Sequence, residues 1–150
     1  MIKELKTEEV KLLKPLMEYL AMHHNNVSTY FKGSFPLHKD EDRIARFEKE
    51  ISEGTSKAYV CLEGELIVGV IKIDFNDDKG VIDYFVILKE YQGKGYGKAL
   101  MDKALETFNE KNIKDIELHV VYGNDAVKFY EKYGFKIQSY VMELKENDNE

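Results

Sequence analysis

Residues 86–100 read VILKEYQGKGYGKAL, and they constrain the fold more than any other stretch of the chain. The opening apolar run has the character of a buried strand end. Gly93, Gly95 and Gly97 follow at alternate positions, and from residue 96 to 108 apolar side chains recur at helical spacing. A strand, a glycine loop and a helix in that order present free backbone N–H groups to an anion. The first helical turn leaves its amide donors unpaired and carries the positive end of the helix dipole. Glycines remove the Cβ that would keep a phosphate at a distance. Lys94 and Lys98 add positive charge on the same side.

The loop is not a P-loop, because no Gly-Lys-Ser or Gly-Lys-Thr closes it. Nor does it fit a dinucleotide fingerprint, which needs G-x-G-x-x-G early in a βαβ unit and an acidic residue about 20 positions on. Its pattern is Gln92-x-x-Gly95-x-Gly97, in the middle of the chain. Downstream come Asn124 and then Phe129-Tyr130-Glu131-Lys132-Tyr133-Gly134-Phe135. These two motifs, in this order with a strand between them, resemble the signatures of the GNAT superfamily of N-acetyltransferases. The resemblance covers residues 57–144; before that only the pattern of elements is similar. Two positions depart from the family pattern: Gln92 stands where arginine is commoner, and Lys89 where proline is common.

The resemblance implies an α/β fold with a mixed, mostly antiparallel central sheet and helices on both faces. It implies acetyl-CoA as cosubstrate, with Gln92, Gly93, Lys94, Gly95, Tyr96, Gly97 and Lys98 around its pyrophosphate. It implies that the backbone of Phe85, Val86 and Ile87 pairs with the pantetheine arm as an added strand would. One of those N–H groups would face the thioester oxygen. It further implies that Asn124 hydrogen-bonds the cofactor and that Tyr130 approaches its sulfur, where it can protonate the leaving thiolate.

Taken in order, the 150 residues are long enough for a real core and are expected to form a single domain over 1–150. No apolar run approaches the ~18 residues of a membrane helix. No basic-then-apolar signal peptide opens the chain. Cys61 is the only cysteine, so no intrachain disulfide exists, which fits a cytoplasmic protein, and Cys61 itself reads as core. No His or Cys cluster has metal-ligand spacing, so no metal is expected. A net charge of −6 argues against nucleic acid and for cationic partners. A first strand is expected over residues 1–5. A helix capped by Thr7 should run to Met22, with a kink at Pro15 and an end at residues 23–26. Residues 27–39 read as a loop and 40–54 as a second helix. Strands follow over 57–62, 66–75 and 81–88, with turns at 63–64 and 76–80. After the glycine-loop helix, a strand over 113–122, a short helix from Asn124 to Tyr133 and a last strand over 135–144 complete the pattern.

Each candidate residue has a plainer role beside its chemical one. Tyr130 is one of ten tyrosines and could simply pack; as an acid, its phenol is protonated at neutral pH. Asn124 reads as a helix N-cap and as a cofactor contact, and both can hold. Asp83 is the odd residue in Val81-Ile82-Asp83-Tyr84-Phe85. It either faces solvent near the strand start or points into the acceptor site, where it would bind an ammonium or take its proton. Tyr84 and His119 are weaker candidates, and His23 and His24 read as exposed. The expected activity is direct transfer of acetyl from acetyl-CoA to a primary amine, with Tyr130 and Asp83 as the catalytic residues. The acceptor is a small molecule or a peptide or protein amine, with neither nucleic acid nor membrane as partner, and a homodimer stays open. The alternative is a non-catalytic acyl-CoA-binding module on the same fold.

Overall fold

The computed structural model describes residues 1–33 and 40–145. Five strands form one sheet in chain order: β1 (Ile2–Glu4), β2 (Ser56–Glu63), β3 (Leu66–Asn76), β4 (Lys79–Ile87) and β5 (Asp115–Leu118). The first four are antiparallel neighbours, and β5 runs parallel to β4. A 3-10 turn over Thr7–Leu13 leads into α1 (Lys14–Val27), and α2 (Asp40–Ser52), α3 (Tyr96–Glu110) and α4 (Ala126–Lys132) follow. This is the mixed, mostly antiparallel sheet expected from the sequence.

Strand alternation divides the core into two layers. Ala58 and Val60 of β2 turn one way and pack with Leu13, Leu16, Met17 and Phe47 of α1, α2 and the turn before them. Their neighbours Tyr59 and Cys61 turn the other way, onto Leu100, Met101, Ala104 and Phe108 of α3. Phe47 and Phe108 are fully buried, one in each layer; each contributes roughly 1.5–3 kcal/mol. Helices on both faces are why β3 reads Leu-Ile-Val-Gly-Val-Ile with almost no polar alternation.

Several expectations are corrected. Thr7 is not a cap: it lies inside the 3-10 turn, and the Glu9 carboxylate accepts from the Lys6 N–H at 2.9 Å. Pro15 does not kink a helix but sits in the first turn of α1, where its missing N–H costs nothing. Residues 23–26 continue α1 rather than end it, and His23 and His24 are half-buried. The loop expected over 27–39 is described only to Gly33; residues 34–39 lie outside the described residues. The turn at 76–80 is tighter than expected, because β3 holds Asn76 and β4 resumes at Lys79, with Asp77 at φ 53°. The strand expected over 113–122 pairs only across Asp115–Leu118, and among the described residues 135–144 join no ladder. Ile137, Tyr140, Val141, Met142 and Leu144 of that segment are exposed. A strand pattern has no stability without an edge to pair with, and β5 offers an edge of 4 residues. The end of the segment is drawn elsewhere: Lys145 Nζ donates to the Tyr30 carbonyl after α1. No helix among the described residues is long and apolar enough to cross a membrane.

Candidate active site

The site begins with a break in the sheet. β4 and β5 pair from Lys79↔Asp115 to Ile82↔Leu118 and then part. A bulge in β4 lies at the same point: Lys72 pairs with Tyr84 and Ile73 with Ile82, leaving Asp83 as the extra residue. A bulge bends its strand and resets the alternation, so β4 turns away from β5 just where the pairing stops. Beyond it the Leu88 N–H still bonds the Val68 carbonyl of β3 at 2.9 Å. Antiparallel pairing alternates, so Val86 also faces β3, while Phe85 and Ile87 turn their backbone groups toward the gap left by β5. An extended ligand can add there as a strand.

The glycine loop stands at the open end of this gap. After a single 3-10 turn, Lys89–Tyr91, the backbone is left-handed at Gly93 (φ 77°) and Gly95 (φ 91°), and α3 starts at Tyr96. A Cβ on either glycine would meet nothing within 4 Å, so the backbone is open to an incoming group. Among the described residues, none of the N–H groups from Gly93 to Lys98 donates to a protein acceptor. That is a ready cradle for a pyrophosphate. The cations beside it have partners: Lys98 Nζ bonds Asp102 at 2.8 Å, and Lys94 lies 5.3 Å from the Tyr91 ring centre. The Asp102 hydrogen bond raises the Lys98 pKa, which keeps it a cation. Tyr96 hydroxyl donates to Glu63, tying the first turn of α3 to the β2–β3 hairpin. Gln92 is turned to the protein: its amide nitrogen donates to the Ile87 carbonyl at 2.8 Å and the Tyr19 hydroxyl at 3.1 Å.

Tyr130 packs with Phe85, Phe129 and Phe135 in the α3 layer, with ring centres 6.2, 5.7 and 6.1 Å away. Burial pushes its pKa up to about 12 and is the sole cause of the shift. The phenol is therefore a proton donor at neutral pH, placed against the gap-facing residue Phe85. The helix expected from Asn124 to Tyr133 is shorter, Ala126–Lys132, and its N-cap is Asp125 rather than Asn124; Asn124 precedes the cap, and its Oδ1 accepts from the Ala126 N–H at 2.9 Å.

Asp83 faces the other layer. It alternates from Ile82, which faces α3, and the bulge then keeps Tyr84 on the same α2 side; Tyr84 meets Phe47 edge-on, and Asp83 bonds Arg46 at 3.1 Å and Lys72 at 2.8 Å. Lys72, fully buried, also bonds Asp74 at 2.6 Å and Glu50 at 2.8 Å. Glu50, Asp74 and Asp83 hold oxygens close enough together for a metal ion, but the Lys72 ammonium is already bonded to all of them. Burial raises the Asp83 pKa, yet Lys72 and Arg46 outweigh it and hold the carboxyl below its usual value. The structure thus does not bring Asp83 and Tyr130 together: they stand on opposite faces of the sheet. Sequence reasoning missed Lys72 as the partner of Asp83. The signal was there, a single lysine inside the apolar run of β3 answering a single aspartate inside that of β4. Of the weaker candidates, Tyr84 is buried and stays on the α2 side, and His119 is exposed with Nε2 3.3 Å from Glu117. Cys61 is buried, which pushes its thiol pKa up to about 11, so it is no nucleophile at neutral pH.

A split sheet with an amide cradle at its mouth leaves room for an extended ligand that carries phosphate. The acetyltransferase (GNAT) family pattern matches residues 20–135, and the chain belongs to that family. A spermidine N(1)-acetyltransferase of Vibrio cholerae is 26% identical over 129 residues, 83% of this chain and 73% of that protein. A ribosomal protein bS18-alanine N-acetyltransferase of Haemophilus influenzae is 34% identical over 74 residues, 49% of this chain and 51% of that protein. A solved structure of a predicted acetyltransferase with acetyl-CoA from Clostridium acetobutylicum shares the fold, with a TM-score of 0.75 at 18% identity over 97% of this chain and 95% of that one. The chain is an acetyltransferase-family protein whose fold matches one solved with acetyl-CoA.

Proposed function

We propose that this chain is an N-acetyltransferase that moves the acetyl group of acetyl-CoA directly to a primary amine. The observation that carries this is the gap beside Phe85 and Ile87, with unpaired N–H groups of residues 93–98 at one end and the Tyr130 phenol beside it. Acetyl-CoA supplies the acyl group as an activated thioester. The loop from Gly93 to Lys98 holds the pyrophosphate, and the gap-facing backbone of β4, with Val86 between Phe85 and Ile87, holds the pantetheine arm. Asn124, its Oδ1 bonded to the Ala126 N–H, has its amide N–H groups for the same arm. A β4 N–H turned into the gap stabilises negative charge that develops on the carbonyl oxygen. As the C–S bond breaks, Tyr130 donates its proton to the leaving sulfur; the attacking nitrogen sheds one proton to solvent as the amide bond forms, and solvent returns one to Tyr130. With Cys61 buried and protonated, the amine itself is the nucleophile, and most of the rate comes from holding it against the thioester.

Asp83 acts on the acceptor side. Its carboxylate is held ionised and already accepts two cationic donors, so it is a poor proton acceptor. Its role is charge: with Glu50 and Asp74 it outnumbers Lys72 and Arg46 three to two at the closed end of the gap. That excess favours an acceptor carrying an ammonium. The relatives named for spermidine and for a ribosomal protein make a small polyamine and a protein N-terminus the first acceptors to try. The test is release of free CoA thiol across a panel of amines, with the acetylated product identified by mass. Amine-dependent thiol release and an amide product are expected. Tight acetyl-CoA binding with no thiol release from any amine would instead leave a non-catalytic acyl-CoA-binding module.

A further inference from the structure

Gln92 heads the glycine loop where the family more often has arginine. Its amide carries only two hydrogens, and both are engaged, by the Ile87 carbonyl at 2.8 Å and the Tyr19 hydroxyl at 3.1 Å. A carbonyl accepts only, so the nitrogen of the amide must face Ile87, and this fixes which way round the group sits. What remains is the amide oxygen, an acceptor that offers nothing to an anion. Gln92 therefore does not recognise phosphate as a donor. The partners it has chosen matter: Ile87 is the last gap-facing carbonyl of β4, and Tyr19 is a residue of α1, distant by 73 positions. Tyr19 is itself held, packed against the α1–α2 core layer and stacked on His23 with ring centres 5.9 Å apart.

We infer that Tyr19 is a positioning residue for acyl-CoA binding, acting through Gln92. The Tyr19 hydroxyl and the Ile87 carbonyl clamp the amide between them. The clamp fixes the glycine loop relative to the β4 edge, so that the pyrophosphate cradle and the pantetheine edge keep one mutual geometry. It also ends the pairing edge at Ile87, because that carbonyl is capped. Tyr19 thus sets acetyl-CoA affinity without touching the ligand. This inference rests on the proposed acetyl-CoA site.

The test is a double-mutant cycle on the acetyl-CoA dissociation constant, measured by calorimetry for wild type, Tyr19→Phe, Gln92→Ala and the double variant. Each single variant should weaken binding about three- to tenfold, the range of one lost hydrogen bond. The double variant should be no weaker than the worse of the two singles, because either change alone opens the clamp. Two independent structural defects would multiply instead. A Tyr19→Phe constant equal to wild type, or single effects that multiply in the double variant, would overturn the clamp while leaving the acetyl-CoA site standing. A wild-type protein that does not bind acetyl-CoA would overturn both.

Discussion

Tyr130 and Asp83 stand on opposite faces of the sheet, and the role proposed for each is testable alone. Tyr130 sits among aromatic rings with its pKa raised by burial to about 12. Tyr130→Phe removes the proton and keeps the packing. It should lower kcat by about 10- to 1000-fold with acetyl-CoA affinity nearly intact; wild-type turnover across the pH range would reduce Tyr130 to a packing residue. Asp83→Asn keeps the shape and removes the charge. It should raise the KM for a cationic amine, and leave that for a neutral-chain amine little changed, in steady-state assays with saturating acetyl-CoA. Equal KM values for both amines in the variant and the wild type would remove Asp83 from acceptor selection. The oddness of Asp83 was legible in the sequence, since a carboxylate in an apolar strand needs a partner. Its face was not. The bulge depends on the register between β3 and β4, which no local pattern records, and it is the bulge that sets Tyr84 on the same face as Asp83.

Among the elements, α2 is held to the sheet by a charged tie as well as by Phe47. Glu50 and Arg46 of α2 meet Lys72, Asp74 and Asp83 of the strands, and the Lys72 side chain has no exposed surface. Lys72→Met leaves Glu50 and Asp83 with Arg46 and Asp74 with only the Ser56 hydroxyl. It should destabilise the fold by roughly 3 kcal/mol, the cost of leaving buried charges unpaired, seen as a lower midpoint in urea; an unchanged midpoint would mean the tie is only decorative. The elements themselves were mostly readable because their signals are local. Turn residues mark the β2–β3 hairpin, and Leu100, Met101, Ala104 and Phe108 recur at helical spacing in α3. Two elements misread for physical reasons. His23 to Asn26 look like a helix end, yet polar side chains continue a helix well on a partly exposed face. Residues 135–144 look like a strand, yet strand formation depends on an available edge, and β5 ends at Leu118.

At the scale of the whole molecule, the same tie sets how stability follows pH. The Asp83 pKa is held below its usual 3.8, so its contribution is full above that value and is lost as pH falls through the lower, folded value. Burial lowers the Lys72 pKa, but its three carboxylate partners outweigh that and hold it above its usual 10.5, so its contribution is full below that value and is lost as pH rises through the higher, folded one. Between those limits the tie contributes a constant amount. Removing Lys72 inverts the acid side: crowded carboxylates take up protons more readily, so the deficit of Lys72→Met should shrink as pH falls from neutral toward about 4. Thermal melts of both proteins over that range check the sign, and a deficit that stays constant or grows in acid would refute it. The proposed role of the glycine loop is checked by calorimetric titration of acetyl-CoA into wild type and Gly95→Val. Gly95 has φ 91° and open space where its Cβ would stand, so valine both strains the loop and fills the cradle. Saturable single-site binding is expected for wild type and none for a Gly95→Val protein that still melts cooperatively; equal affinity in the two proteins would mean that acetyl-CoA does not bind at this loop.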